Sequence, residues 1–279
     1  MTTTEPSDIA PGLAQPELEA GVRLQMTPAG LAIVTLAKPE KHNCFDEATI
    51  ERLSTIFADL GNQESVRAVI IRAEGKSFSA GGDLNWMRRQ ASQIYDENLE
   101  DARGLAEMFA RLDRLPMPTI ALVDGPAYGG GVGLVACCDI ALATPNAAFA
   151  LSEVKIGLMP ATIAPYVLRA IGARNCRRYF QTGERFDGAE ALRIGLVSEL
   201  LPDAPALEHR ADKLVETIFL NAPGAVARAK SLVAEIEFME IDDDLGEMTA
   251  VSIAKRRATD EAKEGLSAFL EKRRPAWQA

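Results

Sequence analysis

Apolar residues recur along the chain at two periods, one suited to strands and one to helices, and their alternation predicts an α/β fold. Across residues 22–36, two short apolar runs flank Pro28-Ala29-Gly30 as in a hairpin, and the polar loop Lys38-Pro39-Glu40-Lys41-His42-Asn43 follows. Asp46 stands where a helix cap belongs. After it Ile50, Leu53, Ile56, Phe57 and Leu60 repeat at three- and four-residue spacings, which predicts a helix with one apolar face that stops at Gly61. Residues 66–73 form a β-branched run suited to a buried strand, and they run into a loop of small residues, 75–84. A helical stretch over 98–115 ends before Pro116 and Pro118. A strand over 119–123, a loop over 124–128, a helix opening in the glycine run and spanning 129–138, and a strand over 140–144 come next, followed by a helix-rich segment over 162–194. Beyond about residue 202 the pattern is helical alone, with amphipathic segments at 207–219, 225–238, 245–258 and 261–269. We therefore expect repeated ββα-like turns around one core, then a helical cap. The division predicted is a flexible tail over residues 1–18, a core over 19–204 that carries the chemistry, and a C-terminal helical region over 205–279 whose apolar faces make subunit contacts.

Composition narrows the function classes. Hydrophobic residues at 47% and charged residues at 25% are an ordinary globular balance, which excludes wholesale disorder. Thirty Lys+Arg against forty Asp+Glu give a net charge of −10, which opposes attraction to nucleic acid or to an anionic membrane. The most apolar stretch, 128–144, is interrupted by Gly129, Gly130, Gly131, Gly133 and Asp139, so no membrane segment is expected. The N-terminus lacks a basic region followed by an apolar core, and Cys44, Cys137, Cys138 and Cys176 are spaced for neither a disulfide framework nor a zinc site. These features predict a cytoplasmic protein. The adjacent Cys137 and Cys138 are expected in the core, and His42 and His209 are too far apart in sequence to predict a metal site.

Two glycine-rich loops each follow an apolar strand. Such loops serve tight turns, or they present bare backbone N–H groups to a ligand from two sides. At Gly129-Gly130-Gly131 the helix that follows adds its positive N-terminal end, and the lack of Cβ atoms lets a carbonyl oxygen approach. Neither loop has the spacing of a P-loop or of a dinucleotide-binding turn.

Taken together, the segments Lys76-Ser77-Phe78-Ser79-Ala80-Gly81-Gly82-Asp83-Leu84, Ala127-Tyr128-Gly129-Gly130-Gly131-Val132-Gly133-Leu134 with Cys138-Asp139-Ile140, and Phe149-Ala150-Leu151-Ser152-Glu153-Val154-Lys155-Ile156-Gly157 closely resemble the enoyl-CoA hydratase/isomerase (crotonase) superfamily. The resemblance extends from about residue 22 to the closing Phe269-Leu270-Glu271-Lys272-Arg273-Arg274-Pro275. It implies a crotonase-like fold, an acyl-CoA substrate, no cofactor, and trimers that often pair into hexamers. The family's two thioester-holding N–H groups fall on Gly82 and Gly130, and coenzyme A is expected along the first loop, with Ala80, Asp83 and Leu84 lining it through backbone and Lys41 near the phosphates. Family hydratases usually carry two catalytic glutamates. Here the first position is Gly133 and the second is Glu153, with Leu151, Val154 and Ile156 as neighbours able to desolvate it. One carboxylate is compatible with hydration of a 2-enoyl thioester or with isomerisation of a 3-enoyl thioester, and Gly133 leaves room for a catalytically silent CoA binder. The runs 82–89 and 156–167 look like bacterial methylglutaconyl-CoA hydratases, which favours hydration. A distal carboxylate on such a substrate would call for a donor, with Asn85, Arg88 and Arg89 as candidates that read equally as solvated helix residues, and Trp86-Met87 either covers the acyl pocket or simply packs at the start of a helix. Glu107 is the unmatched acid available to replace the missing partner.

Overall fold

The computed structural model describes residues 17–278. Its strands and helices alternate up to residue 200. In order they are β1 (Glu17–Glu19), β2 (Val22–Met26), β3 (Leu31–Leu36), α1 (Glu47–Gly61), β4 (Ala68–Ala73), α2 (Leu84–Gln90), α3 (Tyr95–Asp113), β5 (Thr119–Val123), β6 (Ala127–Tyr128), α4 (Gly130–Cys137), β7 (Ile140–Ala143), β8 (Ala148–Ala150), α5 (Ala164–Thr182), β9 (Arg185–Asp187), α6 (Gly188–Ile194) and β10 (Glu199–Leu200). Four helices close the chain, α7 (Ala204–Phe219), α8 (Pro223–Ile236), α9 (Asp243–Arg257) and α10 (Asp260–Glu271). The tail expected over 1–18 lies outside the described residues up to 16, and residues 17 and 18 belong to β1, which pairs antiparallel with β2. The segment 162–194, expected to be helical, contains β9, a three-residue strand with only Phe186 buried.

The main sheet has the order β1-β2-β3-β4-β5-β7-β10, antiparallel through β3 and parallel from β3 onward. Its central strands are covered on both faces, as parallel strands must be when helices form the crossovers. Alternate residues serve the two sides. Ala32, Val34, Val69, Ile71, Ala121 and Val123 join the large core that includes Leu53, Phe57, Phe109 and Leu134 from α1, α3 and α4. Ile33, Ile70, Ile120 and Leu142 instead meet Leu207, Ala211 and Val215 of α7. A small second sheet, β6-β8-β9, stands beside the first.

This topology sets the place of the two glycine loops. β4 and β5 are parallel neighbours with Ile71 opposite Ala121, so the segments after them leave the same edge of the sheet, where open α/β sheets place ligands. Ser79 and Ala127 form a parallel bridge that joins those segments. β6 then pairs with β8, Tyr128 opposite Ala150, and the chain beyond β8 leads directly to Glu153.

Candidate active site

From Ser79 to Asp83 every backbone N–H but one has a partner. Ser79 donates to Pro126 O at 3.1 Å, Ala80 to His42 O at 2.9 Å, Gly81 to Ser79 Oγ at 3.2 Å and Asp83 to Phe45 O at 2.7 Å. Among the described residues Gly82 N–H has no intramolecular acceptor. In the second loop Gly129 donates to Ala150 O at 3.0 Å, whereas Gly130, the first residue of α4, has none. An open helix N-terminus leaves such groups free for a ligand. The loops are stitched together by Tyr128 N–H donating to Ser79 O at 2.8 Å, and a Cβ on Gly81 would lie 3.1 Å from Tyr128 O.

Glu153 opens a 3-10 turn over Glu153–Ile156 that Gly157 ends in the left-handed region. Its carboxyl lies against Gly129: a Cβ there would come 3.1 Å from Oε1. Gly129 has φ +49° and ψ −115°, a conformation suited to glycine, so this position serves both the turn and the close approach. Glu153 Oε2 is shut off from solvent and has no hydrogen-bond partner among the described residues. Burial pushes the carboxyl above its ordinary value, with a smaller opposing effect from its own backbone N–H. Of its three apolar neighbours in sequence, Leu151 is fully buried, Val154 half-buried and Ile156 exposed.

The position of the family's other glutamate is closed. A Cβ on Gly133 would lie 2.3 Å from Ile163 Cγ2 and 2.8 and 2.9 Å from the Phe109 ring, so apolar side chains occupy the space a carboxylate would need. Glu107 does not replace it, because it is exposed and ion-paired with Arg111. Asn85, Arg88 and Arg89 are exposed as well; Arg88 donates to Asn85 Oδ1 at 2.7 Å and Arg89 pairs with Glu47, so all three have partners within the protein. Trp86 is buried, with Cε3 3.6 Å from a Cβ on Gly82, and Met87 Cγ stands at 3.5 Å. These contacts make an apolar border to the first amide.

The residues expected along coenzyme A divide. Ala80 is exposed, and among the described residues its carbonyl accepts no backbone hydrogen bond, while Lys41 lies exposed at the end of the 3-10 turn Pro39–Lys41. Asp83 is engaged throughout. Its carboxylate caps α2 by accepting from Asn85 and Trp86 N–H at 2.8 and 3.1 Å, its N–H goes to Phe45 and its carbonyl accepts from Met87. Asp83 therefore shapes the loop, with its N–H and carboxylate committed to protein partners. Leu84 presents its side chain to solvent, 69% exposed. Cys137 is buried and Cys138 half-buried, and burial drives the Cys138 thiol up to about 12, which makes both inert. A cavity of about 640 Å³ opens at the far end of α4, among Cys137, Cys138, Arg169 and Lys230. The eight-residue helix, roughly 12 Å long, separates it from Gly129 and Glu153.

Two open amides from adjacent loops, with a carboxyl whose Oε2 is buried and unpartnered set against the second of them, make an arrangement suited to a carbonyl oxygen that gains negative charge while a nearby proton moves. The enoyl-CoA hydratase/isomerase family model matches residues 26–279, and the chain belongs to that family. It is 41% identical to an enoyl-CoA hydratase from Shewanella pealeana, with a TM-score of 0.88 over 92% of this chain and 96% of that one. An enoyl-CoA hydratase from Mycobacterium smegmatis shares 33% identity with a TM-score of 0.86 over 94% and 100% of the two chains. The mitochondrial enoyl-CoA hydratase domain-containing protein 3 of Rattus norvegicus is 30% identical over 276 residues, 96% of this chain and 89% of that protein.

Proposed function

We propose that the chain is a 2-enoyl-CoA hydratase in which Gly82 and Gly130 N–H hold the thioester oxygen and Glu153 is the single general acid/base. The observation that carries the reading is the Glu153 carboxyl, buried without a partner on Oε2 and set against the loop that carries Gly130. In this reading the carboxylate takes a proton from water while the water oxygen bonds to C3. The C2–C3 π pair moves toward the thioester, and the oxygen becomes enolate-like between the two amides. The enolate then collapses, C2 takes the proton from Glu153, and the product is a 3-hydroxyacyl-CoA with the carboxylate regenerated. Each oxyanion donor lowers the barrier by about 3 kcal/mol, the scale found when one is removed. Because Ile163 and Phe109 fill the second acid position, both proton movements fall to Glu153, and its raised pKa brings its two forms closer in energy near neutral pH.

The substrate class is a branched 2-enoyl-CoA of the methylglutaconyl type, on the wording of 82–89 and 156–167. Recognition of a distal carboxylate by Asn85, Arg88 or Arg89 drops out of the proposal because those residues are otherwise engaged. The closed second position also favours one alternative: transfer of a proton between C2 and C4 of a 3-enoyl-CoA needs only one base. Absorbance of the conjugated thioester separates the two. A 2-enoyl substrate that loses conjugation is being hydrated, a 3-enoyl substrate that gains it is being isomerised, and a protein that binds both and changes neither is a silent binder.

The reading needs no cofactor and places the enzyme in the cytoplasm; among the described residues no helix is long and apolar enough to cross a membrane. We also propose a homotrimer or a dimer of trimers. Phe238, Ile241, Phe269 and Leu270 are 77–98% exposed, the apolar surface that subunit contacts would cover. Light scattering at the mass of one chain would contradict this.

A further inference from the structure

The two amides assigned to the thioester oxygen come from different loops, so their separation has to be set by something that touches both. We propose that Phe45 is the positioning residue that fixes it, an inference that rests on the assignment of Gly82 and Gly130 above.

Phe45 is 1% exposed and lies in the segment that leads into α1. Its N–H donates to Gly81 O and its carbonyl accepts from Asp83 N–H, both at 2.7 Å. Those two bonds bracket Gly82, so the amide left open is the one between them. Upstream, the same segment runs along the loop like a strut: Asn43 O accepts from Ser79 Oγ at 2.8 Å and His42 O from Ala80 N–H at 2.9 Å. Asn43 is itself anchored through Nδ2 to Glu74 O and Ser77 O, each at 2.8 Å.

The side chain reaches the other loop. A Cβ on Gly130 would lie 2.8 Å from Phe45 Cε2 and 2.9 Å from Cδ2, so the ring packs directly on that glycine's backbone. Phe45 thus grips Gly82 through its main chain and Gly130 through its ring. The ties between Ser79, Pro126 and Tyr128 join the loops two to four residues before the donors, and Gly81 packs against Tyr128 O, whereas Phe45 bonds to both neighbours of Gly82 and touches Gly130 itself. A flat ring with two torsions holds such a spacing better than an aliphatic chain with more rotamers.

The test uses 4-dimethylaminocinnamoyl-CoA, a conjugated thioester whose absorbance moves to the red when its carbonyl oxygen is polarised by well-placed donors. Wild-type protein is expected to shift it. In Phe45→Leu, the ligand is expected to bind within about threefold of wild type with the shift reduced by about half or more, and kcat to fall roughly 10- to 100-fold with KM little changed. Gly130→Ala keeps its N–H, but the added methyl meets the ring and displaces the amide. Adding Phe45→Leu to that variant is expected to recover activity, so the double variant exceeds the product of the two single losses by about tenfold. Should Phe45→Leu lose native circular dichroism, Phe45→Met fills the same space without a flat ring and carries the same expectations.

A wild-type protein that binds the chromophore without a red shift overturns the donor assignment itself. A normal wild-type shift that persists in full in the folded Phe45 variant, or losses that simply multiply in the double variant, overturns the role of Phe45 and leaves the donors standing.

Discussion

Replacing Gly133 by alanine sets two effects of opposite sign against each other. Alanine is favoured over glycine inside a helix by about 1 kcal/mol, so propensity alone predicts that Gly133→Ala stabilises α4. The new methyl, however, would lie 2.3 Å from Ile163 Cγ2 and 2.8–2.9 Å from the Phe109 ring, where carbon atoms normally stay about 3.5–4.0 Å apart. Ile163 and Phe109 are both buried, so neither can swing out to solvent. Overpacking of this kind costs about 1–3 kcal/mol, and three contacts this close put it at the upper end. The net expectation is a loss of about 2 kcal/mol, which lowers Tm by roughly 3–4 °C for a chain of this length. Thermal and urea unfolding at one fixed protein concentration measure it, because assembly would otherwise shift the midpoint. Combining the change with Ile163→Ala should recover part of the loss beyond additivity. Gly133→Ala equal to or more stable than wild type would refute the view that packed apolar side chains close the second acid position.

Two further outcomes follow from other contacts. Glu153 has a folded-state pKa above its ordinary 4.5, so its own contribution to stability is fullest below that value and is lost as pH rises through the folded pKa; Glu153→Gln should therefore unfold at a higher temperature than wild type at pH 7, and the advantage should vanish near pH 4, as pH-dependent melting of the two proteins side by side would show. Asp139 Oδ2 accepts from Thr119 N–H and Oγ and from Lys230 Nζ at 2.7–2.9 Å, tying α8 to the edge of β5, so Asp139→Ala strands buried donors and should cost about 2–3 kcal/mol in urea unfolding.

The long elements were legible because their burial is periodic. Asp46 accepts from Thr49 N–H as the cap of α1, and Ile50, Leu53, Ile56, Phe57 and Leu60 all point inward as their spacing predicts. Short elements escaped that reading. β6 and β8 have two and three residues, and pairing rather than pattern makes them strands, although they are what carries Glu153 to Gly129. α2 is only weakly marked, because its cap, Asp83, sits inside the glycine loop and Trp86 is the one residue it buries. Among the candidate site residues, Glu153 was found through motif order. The Ile163–Phe109 closure and the bridging role of Phe45 depend on side chains meeting across three elements, and no local spacing encodes that.

The central claim is that one buried carboxyl moves every proton beside two main-chain donors. The most direct measurement is the turnover of Glu153→Gln on the substrate that wild type converts, with thioester affinity measured in parallel. The account predicts binding within a few-fold of wild type and a kcat lower by about a hundredfold or more. Turnover near the wild-type rate in a folded, substrate-binding Glu153→Gln protein would contradict it.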